Sequence, residues 1–307
     1  MERSQHRPQV WSVASGKGGV GKTFITTSLA ISLSKLGYSV IILDMDESSG
    51  NIHTSLGIDP SFLNIRHFFE GVKTLQEVVI PTPYPHLSYV QGFWDNWKKM
   101  ELDTAHAKKL FSEVRHLNCD FVIIDLAPGA SDSHLEIARS SDEHFLVTTP
   151  EPTSVEKNYR YLESLLLFEA QKNLNEENLK KLIITLNGYR QRSLQEPFSF
   201  REFYKNIVSN VDGDVFSALD KSPVRLLVNQ CRSQNHRAFG YSIKSVVNKY
   251  YDLSIDFAGA IDYDNAVWQS VHKRENVLLA QPFTGLAGQF LTICKHIVEP
   301  QDLRAVV

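Results

Sequence analysis

Residues 16–23, GKGGVGKT, bring glycines, two lysines and a hydroxyl side chain together in one short loop. Glycines allow the tight turn that points successive backbone N–H groups at one anion. Lys22 can reach the β- and γ-phosphates of a nucleotide, and the Thr23 hydroxyl can ligate Mg²⁺. The spacing fits G-x-x-x-x-G-K-[ST] between an apolar run and a helical pattern, so the phosphates would also meet the positive end of a helix. We expect the nucleotide to contact this loop through Gly18, Gly19, Val20, Gly21, Lys22, Thr23 and Phe24.

Carboxylates that could complete this chemistry follow two apolar runs, VIILDMD and FVIID, which are typical of buried strands. Asp125, at the end of FVIID, is the expected further oxygen ligand of Mg²⁺. Asp46 lies in the loop after the other run, where it can orient the attacking water and also contact the metal. Asp44 lies nearer the strand, and it either ties the loop to the Mg²⁺ shell or only fixes the loop by a hydrogen bond. One positioned carboxylate without a conventional arginine finger predicts slow hydrolysis.

Strand-like runs alternate with helical patterns along most of the chain. This alternation predicts right-handed βαβ units, and therefore an α/β fold with a doubly wound, mostly parallel sheet and helices on both faces. The glycine loop and the aspartates come just past the carboxyl ends of strands, where ligands bind in such sheets. The runs are QVWSVAS, YSVIILDMD, CDFVIIDLAPG, DEHFLVTTPEP, VRLLVNQ and LSIDFAGAID.

The chain is interpreted as a single domain, residues 1–307, with one interruption. The run ending near Thr149 and the run starting at Val224 lie much further apart than one crossover requires. We therefore predict a mostly helical insertion over residues 173–222, in which FREFYKN is a candidate partner-docking surface. WDNWKK, residues 94–99, is expected to pack as a loop, with a nucleic-acid or partner surface as the alternative. Residues 299–307 are expected to form a flexible tail.

Composition argues against several classes of function. The net charge of −3 gives no global basic field for nucleic acid, although a local basic patch is compatible with it. Cys119, Cys231 and Cys294 are isolated and odd in number, which favours a reducing cytoplasm and offers no CxxC for a metal or cluster. The histidines show no metal-binding spacing, and His134 and His144 are expected to serve packing. No apolar run approaches the ~18 residues that a membrane span needs.

With lysine at both Lys17 and Lys22, GKGGVGKT resembles the deviant Walker A motif of the MinD/ParA ATPases. Three further segments are similar to that family: DMDESSGN at its first switch, IIDLAPG at its Walker B position, and TPEPTS. The resemblance covers roughly residues 9–297 apart from the insertion. TPEPTSVEKNYRYL is most similar to the FlhG (FleN) branch, which regulates flagellar number and placement. The resemblance implies a P-loop NTPase fold with ATP and Mg²⁺ as ligands.

The resemblance also explains why the loop has a second lysine. In such ATPases this lysine crosses a two-fold interface to the phosphates bound by the partner subunit and acts in place of an arginine finger. It implies a homodimer with ATP sandwiched at the interface, loosened when hydrolysis removes the γ-phosphate contact. The implied catalytic residues are Lys17, Lys22, Asp46 and Asp125, and the implied metal ligands are Thr23, Asp46 and Asp125.

For adenine, the family uses an asparagine at the end of a late strand. Asn229 in RLLVNQCR fits that position, and Asn187 in IITLNGYR is the alternative if the insertion lies elsewhere. The segment DYD follows the next strand, and its Asp262 and Asp264 are expected to line the other side of the base. This segment can also cap a helix.

Three departures from the family pattern affect what the resemblance implies. Phe24 stands where a threonine or serine is usual near the α-phosphate, which removes a side-chain hydrogen bond and lowers the expected affinity. MERSQHRPQ lacks the glutamine-containing activator motif of the FlhG branch. The last helical pattern has only Lys295 and His296 where MinD and FlhG have a basic membrane-binding helix, so membrane targeting has weak support. We expect its apolar positions to pack on the core: Leu286, Phe290, Ile293 and Ile297.

The resemblance implies a spatial switch that hydrolyses ATP slowly and positions a cellular structure such as a flagellum, pole or division site. It would act from the cytoplasm with an unidentified protein partner and be recruited to the pole or inner membrane face. A ParA-type partition ATPase, whose ATP dimer binds DNA non-specifically and salt-sensitively, is the first alternative. An iron–sulfur carrier ATPase needs an interfacial cysteine pair, which Cys231 and Cys294 do not form as a CxxC. A module that no longer hydrolyses is disfavoured by both lysines and by Asp46 and Asp125.

Overall fold

A computed structural model describes residues 7–47, 50–93, 100–191, 200–207 and 223–299. Within these ranges the strands are β1 (Gln9–Ala14), β2 (Val40–Met45), β3 (Val79–Pro81), β4 (Leu87–Val90), β5 (Phe121–Leu126), β6 (Glu143–Thr148), β7 (Val224–Cys231) and β8 (Ile255–Asp262). They form one sheet in the order β3-β4-β2-β5-β1-β6-β7-β8. β3 runs antiparallel to β4, and the other neighbouring strands are parallel.

Helices cover both faces of this sheet. In the described ranges they are α1 (Lys22–Lys35), α2 (Ile52–Leu56), α3 (Ile65–Phe69), α4 (Thr104–Val114), α5 (Asp132–Ser140), α6 (Pro152–Asn173), α7 (Glu176–Gln191), α8 (Phe200–Ile207), α9 (Gln234–Tyr251), α10 (Asn265–His272), α11 (Val277–Ala280) and α12 (Gly285–Val298). Alternate residues of β1 enter two separate apolar clusters, Val10 and Ala14 on one face and Trp11 and Val13 on the other. The predicted doubly wound, mostly parallel α/β sheet is therefore confirmed.

Two strands at one edge of the sheet were missing from the sequence prediction. β4 has four residues and β3 has three, and neither is long enough to give a clear alternating or apolar pattern. β3 also contains Pro81, which is tolerated because it lies on the sheet edge. Short edge strands such as these offer little surface for unwanted pairing with another chain.

The long connection between β6 and β7 joins two strands that are neighbours in the sheet. α7 and α8 both lie in the stretch predicted as a helical insertion, residues 173–222. The expected docking role of FREFYKN is wrong for Phe200 and Tyr204, because both side chains are buried in the same core cluster as α6. WDNWKK and residues 300–307 of the expected tail lie outside the described residues, and the single-domain boundaries stay a prediction.

The last helix, α12, packs against α1 on one face of the sheet. Leu286, Phe290 and Ile293 of α12 are almost fully buried, and Ile297 is partly buried against the same cluster. These residues pack on the core, as their spacing predicted. None of the helices in the described part of the chain has the length and apolar composition needed to cross a bilayer.

His144 is a buried histidine with both ring nitrogens satisfied. The Ser12 hydroxyl lies 2.9 Å from its Nδ1, and the Tyr161 hydroxyl lies 3.1 Å from its Nε2. These contacts join β1, β6 and α6 inside the core. Complete burial lowers the pKa of His144 to about 3, because a charged imidazolium would lose its hydration there. The packing role predicted for His144 agrees with these contacts.

We expect His144 to make the folded state sensitive to acid. Its pKa is lower in the folded than in the unfolded chain, so the unfolded state binds the extra proton and the free energy of unfolding falls below about pH 6.5. Between pH 7 and pH 5 this group alone should cost about 2 kcal/mol. Urea unfolding of wild type and His144→Gln at both pH values checks this, because the variant should lose less stability over that interval.

The exposed His116 provides the control, since His116→Gln makes the same substitution at the surface and should change the free energy of unfolding at pH 7 by less than about 0.5 kcal/mol. Equal losses between pH 7 and pH 5 for wild type and His144→Gln would contradict the assignment.

Candidate functional site

The glycine loop connects the end of β1 to the start of α1. Gly21 precedes the helix with a φ of 92°, and a Cβ there would lie 2.5 Å from Nδ2 of Asn229. At Gly16 a Cβ would lie 2.1 Å from the Lys157 carbonyl oxygen, and the Gly16 N–H donates to Oδ1 of Asn158 at 2.7 Å. Both positions therefore require glycine, one for conformation and both for close approach. The loop is held against β7 and α6.

At the start of α1, polar side chains converge on Asp125 at the end of β5. The Thr23 hydroxyl donates to Oδ2 of Asp125 at 2.7 Å, and the Thr26 hydroxyl donates to Oδ1 at 3.0 Å. Burial raises the pKa of Asp125 to about 6, against the opposing effects of these hydroxyls and of Lys22. Lys22 is itself almost buried, which lowers its pKa, while Asp125 and Asp46 act in the opposite direction. Lys22, Thr23, Asp46 and Asp125 thus belong to one electrostatic cluster.

Asp44 lies near the end of β2, whereas Asp46 lies in the loop that follows this strand. Asp44 is fully buried beside its register partner Asp125, and it accepts the Asp46 N–H at 3.2 Å. Burial, followed by the charge of Asp125, raises the pKa of Asp44 well above its usual range. A Cβ at Gly50 or Gly92 would come within 3 Å of the Asp44 carboxyl group. These contacts favour the loop-fixing role for Asp44, whereas Asp46 acts, with Asp125, on the charge of Lys22.

The oxygen donors fit a magnesium ion that arrives with its nucleotide. Thr23 and Asp125 supply hard oxygen atoms at one point, with Asp46 as the third expected ligand. The described residues contain no group of three or more His, Cys, Asp or Glu side chains that could hold a metal alone. Mg²⁺ usually takes one or two protein oxygens and completes its shell with water and substrate phosphates. When bound there, Mg²⁺ would offset the negative charge of the β- and γ-phosphates.

Lys17 differs from Lys22 in both exposure and contacts. Its ammonium group lies 3.3 Å from Oε2 of Glu151 and donates to the Thr153 hydroxyl at 3.0 Å. The Lys17 side chain is 39% exposed, and that of Glu151 is 61% exposed. The two lysines of one short loop therefore lie in opposite environments, one buried among carboxylates and one at the surface.

The two asparagine candidates for adenine lie on different kinds of element, one on a strand and one on a helix. Asn229 lies at the carboxyl end of β7 and is almost fully buried. Its Nδ2 donates to the Val20 carbonyl at 2.8 Å. This places Asn229 against the phosphate loop. Asn187 is an exposed residue of α7. The strand position that the resemblance requires is met by Asn229 and not by Asn187.

The other expected nucleotide contacts have partners within the chain. Asp262 pairs with Arg237 and accepts from Nε2 of Gln289 at 2.7 Å, while Asp264 caps α10 by accepting the Ala266 N–H at 2.8 Å. The Phe24 ring packs edge-on against Phe290 of α12, with 5.6 Å between ring centroids. The side chain that replaces the family hydroxyl therefore contributes to the core.

Sequence reasoning missed several residues that position the site. Thr26 lies one turn after Thr23, and this second hydroxyl at helical spacing is a detectable signal. Asn158, at 3% exposure, is a polar residue on the buried side of α6, which is also unusual enough to notice. The contacts of Glu151 and Thr153 with the loop required knowledge of how α6 packs.

Comparisons with known proteins agree with this geometry. The family model described as ParA, NUBPL iron-transfer P-loop NTPase, matches residues 7–171. The chain is 25% identical over 297 residues to the antiactivator FleN of Pseudomonas aeruginosa, covering 96% of this chain and 88% of that protein. It is 26% identical over 291 residues to the flagellum site-determining protein YlxH of Helicobacter pylori, covering 93% and 90% respectively.

A solved structure also shares the fold. The septum site-determining protein MinD from Pyrococcus horikoshii, complexed with Mg-ADP, has a TM-score of 0.66 at 16% sequence identity. The match covers 98% of this chain and 100% of that chain. The predicted MinD/ParA-like fold class is confirmed.

The buried carboxylate of Asp125 should destabilise the nucleotide-free protein at neutral and alkaline pH. Its pKa is raised on folding, so the folded state binds the extra proton and stability falls as pH rises from about 4 to 6. Asp125→Asn should therefore raise the free energy of unfolding at pH 8 by roughly 2–3 kcal/mol. Urea unfolding without nucleotide at pH 8 and pH 5 measures this, and the gain should be smaller at pH 5.

Asp59→Asn at an exposed position is the matched control and should change stability by less than about 0.5 kcal/mol. A gain that is the same at both pH values, or a loss at pH 8, would show that ionised Asp125 is not the destabilising group.

Proposed function

Because this chain belongs to the ParA family of P-loop NTPases, we propose that it hydrolyses ATP with Mg²⁺ and dimerises around the bound nucleotide. We propose further that the dimer is a spatial switch that positions a cellular structure. Hydrolysis would be slow and would return the protein to its monomeric form. The dimer would hold an unidentified protein partner, and the monomer would release it.

This proposal rests on the difference in burial and contacts between Lys17 and Lys22. Lys22 already supplies the positive charge that the loop needs for its own phosphates, with Asp125 and Asp46 close by. Lys17 extends to the surface, where its ion pair with Glu151 is solvent-exposed and contributes about 0–1 kcal/mol at most. Such a contact is easily exchanged for a stronger charge-assisted bond to a phosphate. A second copy of the chain, facing the loop, would present that phosphate.

The buried cluster supports hydrolysis at a low rate. Asp46 is the residue proposed to orient the water that attacks the γ-phosphorus, while the bond to the bridging oxygen of ADP breaks. Lys22 stabilises charge on the phosphate oxygens, and the partner subunit's Lys17 adds a further positive charge. No histidine or arginine is assigned to proton transfer, which is consistent with a slow switch.

The relatives support a role in positioning. One is named an antiactivator and another a flagellum site-determining protein, and each is matched over about nine-tenths of its length. We propose that this chain acts in the same class, from the cytoplasm, at a pole, flagellar base or division site.

The cysteines argue against an iron–sulfur carrier, despite the iron-transfer wording of the family description. Cys119, Cys231 and Cys294 are all buried. Burial raises the pKa of Cys119 to about 12 and that of Cys231 to about 11, and it also raises the pKa of Cys294. Cluster ligation requires accessible thiolates, which these three side chains do not present.

Molar mass in solution tests the proposed dimer. Light scattering on wild type, Lys17→Ala and Asp46→Ala should give the monomer mass of 34.8 kDa without nucleotide and with ADP. With ATP and Mg²⁺ the wild type should shift toward twice that mass, because Lys17 reaches the partner's phosphates. Lys17→Ala should stay monomeric, and Asp46→Ala should remain dimeric for longer because hydrolysis is blocked.

Lys73→Ala is the matched control, since Lys73 is 40% exposed and pairs with Glu77 at 3.0 Å in a similar surface ion pair. It should dimerise like wild type. A mass that does not respond to nucleotide in any variant would refute the sandwich dimer.

A further inference from the structure

His134 lies in the first turn of α5, shortly after the Asp125 strand ends. Ser131 caps the helix, and its hydroxyl accepts the His134 backbone N–H at 3.4 Å. The side chain is 5% exposed. Although His134 was predicted to serve only packing, its surroundings differ from those of an ordinary core histidine.

Both ring nitrogens of His134 are buried, and no residue in the described part of the chain hydrogen-bonds to either of them. A neutral imidazole carries one N–H donor and one acceptor, and burying either unpaired is costly. His144 shows the usual solution, because serine and tyrosine hydroxyls satisfy both of its nitrogens. The unpaired ring of His134 therefore indicates a hydrogen-bonding group that residues 7–47, 50–93, 100–191, 200–207 and 223–299 do not supply.

The charged groups that act on His134 are those of the phosphate site. Burial lowers its pKa to about 4, Asp46 opposes this shift and Lys22 adds to it. The imidazole is therefore neutral near pH 7 and lies within electrostatic reach of both residues. By contrast, burial lowers the pKa of His144, and the groups that contact its ring nitrogens are the Ser12 and Tyr161 hydroxyls.

The segment before α5, residues 127–131, contacts the phosphate loop. The Gly129 N–H donates to the Ser15 carbonyl at 2.9 Å, and Cγ of Pro128 lies 3.8 Å from where a Cβ on Gly18 would be. The first turn of α5 is thereby fixed close to the loop that would hold the β- and γ-phosphates.

We infer that the imidazole N–H of His134 donates a hydrogen bond to an oxygen of the terminal phosphate of ATP. This inference rests on the proposed ATPase function. ADP lacks that phosphate, so His134 would distinguish the two nucleotides. The bond would link α5 to the γ-phosphate.

Nucleotide affinities test this assignment. Calorimetric titrations with Mg²⁺ should compare the non-hydrolysable analogue AMPPNP and ADP on wild type, His134→Leu and His134→Gln. His134→Leu should weaken AMPPNP binding roughly tenfold or more, because a bond to a charged oxygen is lost, and change ADP binding less than about twofold. His134→Gln keeps a donor and should recover most of the AMPPNP affinity. Repeating the titrations in a Lys17→Ala background removes the contribution of dimer formation.

His144→Gln is the control for disturbing a buried histidine away from the site, and its ratio of the two affinities should equal that of wild type. In protein labelled with ¹⁵N-histidine, the His134 ring signals should shift with AMPPNP but not with ADP. Equal weakening of both nucleotides by His134→Leu, or unchanged affinities, would overturn the inference while leaving the ATPase proposal intact. Absence of AMPPNP binding to wild type would overturn both.

Discussion

Two aspartates lie side by side on neighbouring strands. Much of the site consists of groups that stabilise their carboxylates. Asp44 and Asp125 are register partners on β2 and β5, and burial raises the pKa of each. Like charges this close in a dry interior need hydrogen bonds and a nearby cation. Hydroxyl groups of α1 donate hydrogen bonds to Asp125, and backbone N–H groups donate to Asp44. The buried Lys22 provides the cation. The positions of α1 and the first switch loop follow from this requirement.

α6 connects the phosphate loop to α5. This is the helix of His134, the residue that we propose binds the γ-phosphate. Near its start, Asn158 accepts the Gly16 N–H while donating to β6, and the residues at its first turn hold Lys17. Near its end, Glu169 pairs with Arg139 of α5 in a partly buried ion cluster. Glu169 is almost fully buried, so the pairing with Arg139 offsets its charge and ties α6 to α5. α6 thus joins the contacts of Lys17 near its start to the contact with α5 near its end.

The sequence was sufficient for the parts of this molecule that depend on local pattern. Strands ending in aspartate and a glycine loop ending in Lys22 place these residues at one edge of a parallel sheet, which predicted the convergence on Asp125. Contacts between distant segments were beyond such reasoning: Lys17 and Glu151 are 134 residues apart. Aromatic periodicity also cannot separate exposed from buried faces in an insertion, which is why Phe200 was wrongly assigned to a docking surface.

Replacement of a family hydroxyl by Phe24 has a consequence for biosynthesis. The Phe24 ring and the rest of α1 pack on α12, and the Cys294 thiol donates to the Leu29 carbonyl across 265 residues of chain. A ribosome completes the phosphate loop early but makes its supporting helix late. The side of α1 that packs on α12 therefore stays uncovered until the end of the chain has emerged, and we expect α1 to reach its final packing only then.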